Sequence, residues 1–184
     1  MNFNNFTIKS QEAVQQAIQL VQNRGQQVIE SEHLLAGVLK VGENVTNFIF
    51  QKLGMNGQQV AMVLDRQIAS LPKVSGGEPY LSRGANEVLQ KAVEYSKGLG
   101  DEYVSLEAML LAILNVKSTA ATILKDAGMN DKDLRSAISE LRQGQNVTSP
   151  SSEDTYQSLS KYAINLIEAA RTGKLDPVIG RDEE

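Results

Sequence analysis

The sequence predicts an all-α protein: two tandem, pseudo-symmetric four-helix repeats form one compact domain, followed by a flexible linker and a C-terminal helix. Two observations predict this fold. The first 142 residues contain one pattern twice, at a spacing of 75 residues that shortens to 74 after one loop, which is typical of a duplicated supersecondary unit. Apolar residues recur at helical spacing, and no stretch shows convincing strand alternation. The matched positions include Glu12 with Glu87, Gly25 with Gly100, Glu32 with Glu107, Leu35 with Leu110, and Gly54-Met55-Asn56 with Gly128-Met129-Asn130.

The first repeat, residues 1–71, contains four predicted helices. Thr7 or Ser10 can cap the first helix and Ser31 the second, because short hydroxyl side chains satisfy the free amides at a helix start. Pro72 ends the fourth helix, since proline cannot donate the amide hydrogen bond that a helix interior needs. The apolar stripes of the four helices are, in order, Val14 to Val21, Leu34 to Leu39, Phe48 to Leu53 and Val60 to Leu71.

The second repeat, residues 80–142, contains four more predicted helices. A segment rich in glycine and proline, residues 72–79, connects it to the first repeat. Ser82 can cap the fifth helix and Ser105 the sixth. The apolar stripes are Val88 to Tyr95, Leu106 to Leu114, Ile123 to Leu124, and Leu134 to Leu141.

The composition changes after Arg142. From Gln143 to Glu153 there is one apolar residue and there are two helix breakers, so this segment is not expected to bury enough surface to offset the entropy of ordering. The sequence therefore predicts a flexible linker over residues 143–155. Beyond the linker a helical stripe resumes, and residues 156–184 end without a cap, which is typical of a piece of a longer protein.

Composition and motifs disfavour several classes of function. The formal net charge is −4, with no basic stripe for nucleic acid, and no apolar run reaches the length of a membrane span. Absent cysteine and the lack of a basic leader favour a cytoplasmic location. His33 is the only histidine, so no zinc site is expected, and no phosphate-binding motif G-x-x-x-x-G-K-[ST] is present. A stand-alone enzyme is therefore the weakest hypothesis, because no nucleophile–base pair can be assembled.

Two acidic residues are candidates for a protein-binding site. Asp101 and Glu107 flank Ser105 at the predicted start of the sixth helix, close to the end of the fifth. Beside the apolar side chains of Tyr95 and Leu110, the two acids could rim a groove. The alternative is that they are ordinary helix-start charges, stabilised by the helix dipole.

The repeats and the tail resemble the Clp ATPases. The duplicated unit, with Glu32-His33-Leu34-Leu35 and Gly54-Met55-Asn56, resembles their N-terminal Clp repeat domain. The segment from Leu175 to Glu184 resembles the start of their first AAA+ ATPase module, so residues 156–184 are expected to be the truncated start of that module.

Within this family, the Phe6-Thr7 pair and the acidic, tyrosine-containing segment from Glu153 to Tyr162 are most similar to the ClpB-type disaggregases. The resemblance implies a homohexameric parent that uses ATP and magnesium and cooperates with the DnaK chaperone system. It implies that this fragment, itself monomeric, cofactor-free and not an enzyme, captures unfolded or aggregated polypeptide. The alternative is an adaptor- or substrate-docking domain of a protease-coupled Clp unfoldase of the ClpC or ClpA type.

The resemblance also implies site residues. In the family a threonine near the N-terminus and an aspartate and a glutamate in the second repeat are linked to substrate handling, and the matching positions are Thr7, Asp101 and Glu107. Together with the groove residues, the expected substrate-binding set is Thr7, Tyr95, Asp101, Glu107 and Leu110.

Other positions qualify this expectation. Lys91 and Ala108 stand where relatives can carry larger apolar residues, which predicts a shallower or more polar groove. Val178 and Ile179 resemble residues that edge the adenine pocket of the complete ATPase module.

Overall fold

The computed structural model describes residues 2–155, which form the all-α fold that the sequence predicts. Eight helices make up the two repeats, and helical backbone also begins at Ser152. The expected start of the ATPase module, with Val178 and Ile179, lies outside the described residues. The elements are α1 (Ile8–Asn23), β1 (Val28–Ile29), α2 (Ser31–Val41), α3 (Glu43–Lys52), α4 (Gly57–Ala69), β2 (Tyr80–Leu81), α5 (Arg83–Gly98), α6 (Leu106–Asn115), α7 (Thr119–Asp126) and α8 (Asp131–Arg142).

Short parallel pairings tie the two repeats together. Ile29 of β1 lies opposite Leu81 of β2, and Phe6 forms a parallel bridge with Val104. At the 75-residue spacing Phe6 corresponds to Leu81 and Ile29 to Val104, so the segment leading into each repeat pairs with the loop after the first helix of the other. The sequence did not predict these pairings because a two-residue strand is too short to show alternation.

Corresponding residues begin and end corresponding helices. Thr7 Oγ1 accepts a hydrogen bond from a first-turn amide of α1 at 3.0 Å, and Ser82 Oγ does the same in α5 at 3.0 Å. Gly25 and Gly100 follow the ends of α1 and α5 with φ of +68° and +78°, a backbone conformation that glycine adopts without a steric penalty. The repeat in the sequence is therefore a repeat in local structure.

One apolar core joins the repeats, and α6 lies within it. Each residue from Leu106 to Leu114 is buried, as expected for a helix that other elements enclose on every side. Leu64 in α4 and Ile138 in α8 are each 2% exposed, which agrees with their places on the predicted stripes. Because buried residues of both repeats belong to the same cluster, the two units share a hydrophobic interior.

The described part of the segment after α8 lies against the repeats. Val147 is completely buried, and its carbonyl accepts a hydrogen bond from the Glu102 amide at 2.8 Å. The Pro150 carbonyl accepts another from the Ile8 amide at 2.8 Å. A segment with one apolar residue is therefore held by hydrogen bonds to its backbone and to the Glu153 side chain, which composition does not reveal. The predicted boundaries of linker and domain remain predictions.

Candidate functional site

The centre of the candidate site is Arg142, whose role the sequence did not predict. Both terminal nitrogens of Arg142 donate to Asp101, at 3.1 and 3.0 Å, and Nε donates to Glu107 Oε2 at 2.9 Å. A further bond of 2.9 Å joins Arg142 to Ser105 Oγ. The two carboxylate side chains are 0% exposed and that of Arg142 is 5% exposed. The two acids thus share one guanidinium inside the protein.

A third carboxyl group lies beside this cluster. Glu153 Oε2 accepts hydrogen bonds from Thr7 Oγ1 at 2.6 Å and from the Leu106 amide at 3.1 Å. Burial, reinforced by the negative charge of Glu107, raises the pKa of Glu153 from 4.5 to about 7. We define the buried cluster as Thr7, Asp101, Ser105, Glu107, Arg142 and Glu153.

The structure brings together three of the five expected site residues. Thr7, Asp101 and Glu107 belong to the buried cluster, where they bind other parts of the chain. Leu110 is completely buried in α6 and is not open to a ligand in this structure. The sequence did not predict this burial because apolar residues lie on every side of α6. The apolar pattern therefore does not distinguish a face that lines a groove from a face that packs in the core. Substrate binding by this set stays a prediction.

Tyr95 is the expected site residue that lies near the surface. It is half-buried, and cationic groups stand over its ring, with Lys91 Nζ 5.9 Å and the Arg135 guanidinium 5.3 Å from the ring centroid. Leu99, Arg135 and Ile138 line an adjacent pocket of about 260 Å³. The surface at Tyr95 is thus aromatic and aliphatic with a basic edge.

The first repeat carries a second concave surface. A groove of about 390 Å³ lies between α1, α2 and α4, with a floor of Leu20, Leu39, Leu64 and Ile68 and with glutamine side chains on its edge. The sequence did not predict this groove, because its apolar lining residues have the spacing of ordinary core positions.

At the place that corresponds to Asp101, the first repeat has the neutral Gln26, which lies against His33. His33 Nδ1 accepts a hydrogen bond from the Glu30 amide at 2.9 Å, and its Nε2 lies 2.8 Å from Gln26 Oε1. Burial, with a smaller contribution from the charge of Arg24, lowers the pKa of His33 from 6.5 to about 4. His33 is therefore a structural residue at the start of α2. The prediction of Ser31 as N-cap was wrong: Glu30 occupies that position.

Two features of the described residues bear on alternative functions. Within residues 2–155, no group of three or more histidine, cysteine, aspartate or glutamate side chains has the arrangement of a metal site. In the same range no single helix is both long and apolar enough to cross a membrane, and the bent pair α6–α7 meets that test by length and composition only.

Comparisons with known proteins agree with the fold. Residues 5–127 match the Clp repeat (R) N-terminal domain family. The chain is 78% identical over its full 184 residues to a chaperone protein ClpB of Bacteroides thetaiotaomicron, of which it covers 21%.

Solved structures resemble the same domain. The Hsp104 N-terminal domain of Candida albicans has a TM-score of 0.72 at 22% identity, over 82% of this chain and 99% of that one. A structure described as a complex of the ClpV N-domain with VipB peptide has a TM-score of 0.61 at 20% identity, over 74% of this chain and 86% of that one. At these identities the likeness establishes the fold.

Proposed function

The chain belongs to the Clp repeat N-terminal domain family, and from that premise we propose that it is the substrate-binding module of a ClpB-type chaperone. It would capture unfolded or aggregated polypeptide for ATP-driven disaggregation. The observation that carries this proposal is the 78% identity to a ClpB chaperone over the whole chain. The chain spans about a fifth of the length of that relative, 21%, so the activity of the whole protein is part of the proposal.

We further propose that the parent is a cytoplasmic, homohexameric ATPase that uses ATP and magnesium and cooperates with the DnaK system. The fragment itself would be monomeric and would neither bind nor hydrolyse ATP. Support for the last point comes from the sequence, which lacks a phosphate-binding glycine loop with its lysine.

Substrate contact is best supported at the exposed apolar surfaces. The groove floored by Leu20 and Leu39 offers apolar area without many directional hydrogen bonds, which suits a ligand of variable sequence. The pocket beside Tyr95 adds Leu99 and Ile138 among polar and basic side chains. In this proposal Thr7, Asp101 and Glu107 act indirectly, by holding α6 and the segment after α8 in place. Binding should be weak, with a dissociation constant of about tens of micromolar or weaker, since a captured chain must be passed on.

The alternative is an adaptor- or substrate-docking domain of a protease-coupled unfoldase of the ClpC or ClpA type. The solved complex of the ClpV N-domain with VipB peptide supports peptide docking on this fold in general. The two functions would be separated by the downstream sequence, in which a coiled-coil insertion in the first ATPase module would favour the disaggregase.

The test is an NMR titration of the isotopically labelled chain with an unfolded, apolar-rich protein and, separately, with its folded form. Shifts should cluster around Tyr95 and Leu99, or on the α1–α2–α4 groove, for the unfolded form alone. Tyr95→Ala should weaken binding at the first surface, and Tyr80→Ala is the matched control, since Tyr80 is 54% exposed on β2. Equal shifts with the folded form would contradict the proposal.

A further inference from the structure

The segment after α8, residues 145–153, is bound to both repeats along its length. We call it the exit segment. Near its start the Val147 amide donates to Asp101 Oδ1 at 3.0 Å, and Val147 itself is completely buried. In its middle the Pro150 carbonyl accepts from the Ile8 amide at 2.8 Å. At its end stands Glu153, whose side chain is the one carboxyl group of the segment.

The Glu153 carboxyl joins the starts of two helices. Thr7 is the N-cap of α1, and Leu106 is the first residue of α6. One carboxyl oxygen, Oε2, accepts hydrogen bonds from both residues, while no hydrogen-bond partner of Oε1 is found in the described part of the chain. Glu153 is 0% exposed, although glutamate is rarely buried to this extent.

The charges around Glu153 disfavour its ionised form. The charged groups of the buried cluster are Asp101 from the loop before α6, Glu107 from α6 and Arg142 from α8. Thr7 and Ser10, which α1 contributes, are neutral. Arg142 is already bound to two carboxylates, so an ionised Glu153 would be a third negative charge in the described surroundings of one guanidinium.

We propose that the Glu153 carboxyl is a latch, which fastens the exit segment to α1 and α6 when protonated and releases it when ionised. The Thr7 hydroxyl and the Leu106 amide are the hydrogen-bond donors that hold this carboxyl. Release of the exit segment would let the chain that follows it move more freely relative to the repeat domain. Docking would hold the start of that chain close to α1 and α6. The latch does not depend on the proposed substrate binding, so either can fail without the other.

The pH dependence of the latch has a definite sign. The pKa of Glu153 is raised to about 7 in the docked segment, against an ordinary value of 4.5. Docking is therefore strongest below about pH 4.5, weakens progressively as the pH rises to about 7, and weakens no further above that. Over this range the docking equilibrium should change on the order of a hundredfold.

Hydrogen exchange of the labelled chain, measured by NMR, tests the latch. The readout is the protection factor of the Leu106, Val147 and Glu102 amides at about pH 5 and about pH 8, since protection factors divide out the intrinsic pH dependence of exchange. For the unmodified chain, protection at the lower pH should exceed that at the higher pH by about tenfold or more.

Three variants separate the latch from a general effect on folding. Glu153→Gln keeps a neutral acceptor and should remain protected at both pH values. Glu153→Ala should be weakly protected at both. Asp154→Ala is the matched control, because Asp154 is the neighbouring carboxylate but is exposed, and this variant should behave like the unmodified chain.

The proposal is overturned if Glu153→Ala leaves the three amides protected, if Glu153→Gln keeps the pH dependence of the unmodified chain, or if Asp154→Ala reproduces the effect of Glu153→Ala. Protection of core amides in α2 reports whether each variant is folded. If Glu153→Ala unfolds, the comparison of Glu153→Gln with the unmodified chain at the two pH values still tests the proposal.

Discussion

Gln26 and Asp101 occupy corresponding positions in the two repeats, and each fastens the end of the last helix of its repeat to the loop after the first helix. Gln26 does so through its amide group, whose Nε2 donates to the Ile68 carbonyl at 2.7 Å. Asp101 does so through two bonds from Arg142, at 3.1 and 3.0 Å. Ile68 and Arg142 themselves correspond at the spacing of 74 residues. One structural connection is thus neutral in the first repeat and ionic in the second.

Removing the cation of this connection should be costly. Arg142→Ala leaves the Asp101 and Glu107 carboxylates buried without the guanidinium, and loss of one member of a buried ion pair costs about 3–5 kcal/mol of unfolding free energy. Chemical denaturation followed by circular dichroism measures this change.

Arg135→Ala is the matched control for that measurement. Arg135 pairs with Asp131 on the surface, where both side chains are 44% exposed, and exposed pairs contribute about 0–1 kcal/mol. Similar losses for the two arginine variants would contradict the view that the Arg142 connection is a buried, structural one.

The shared core predicts that the repeats unfold together. Leu64→Ala in the first repeat and Ile138→Ala in the second should each cost about 2–5 kcal/mol, the range for emptied aliphatic core sites. Each variant should still show one transition that coincides by fluorescence of tyrosine and by circular dichroism. Met62→Ala, at a side chain 57% exposed on α4, should change stability little. Separate transitions for the two repeats would contradict a common core.

Much of the fold could be predicted because the signals for a helix lie within the helix itself and in the residues beside it. Helical stripes report which face of a helix is buried, and hydroxyl residues before them report where a helix starts, as at Ser82 and Ser105. The duplication then reports that two such units exist. The parallel pairing of Phe6 with Val104 leaves no comparable trace, because it depends on backbone groups of any residue type.

The candidate site could be predicted only in part. Asp101 and Glu107 stood out as acids at a helix start, but their partner Arg142 lies 41 and 35 residues further along the chain. Periodicity carries no information about contacts at such separations. One signal was available: Arg142 continues the apolar stripe of α8 and corresponds to Ile68, so a charge stands where the other repeat has an aliphatic side chain.

Stability should depend on pH through His33. The pKa of His33 is about 4 in the folded chain against an ordinary 6.5, so the unfolded chain takes up the proton first as the pH falls. The folded state should therefore lose stability between about pH 6.5 and about pH 4. Glu153 acts in the opposite sense, because its raised pKa favours the docked form at low pH.

His33→Gln isolates the histidine contribution, since glutamine does not titrate. As the pH falls from about 6.5 to about 4, the unfolding free energy of the unmodified chain should decrease relative to that of His33→Gln. Denaturation midpoints at several pH values measure this difference. Parallel stability curves for the two proteins would show that the histidine ring is not held neutral by burial.

The two serine caps provide a test of the buried cluster that uses the internal symmetry of the fold. Ser82 Oγ accepts one amide bond in α5, and Ser82→Ala should cost about 1 kcal/mol, the usual value for a lost N-cap. Ser105 Oγ accepts the equivalent amide bond in α6 at 3.1 Å, and it also accepts a bond from Arg142 at 2.9 Å. Because Ser105 is completely buried, Ser105→Ala leaves a charged donor without this acceptor, which should add about 1.5–3 kcal/mol to the loss of the cap.

Equal losses of unfolding free energy for the two variants would mean that Ser105 acts as a cap alone and that Arg142 is held by its carboxylates. A larger loss of unfolding free energy for Ser105→Ala would be assigned to the Ser105–Arg142 bond if the excess disappears when Arg142→Ala is already present.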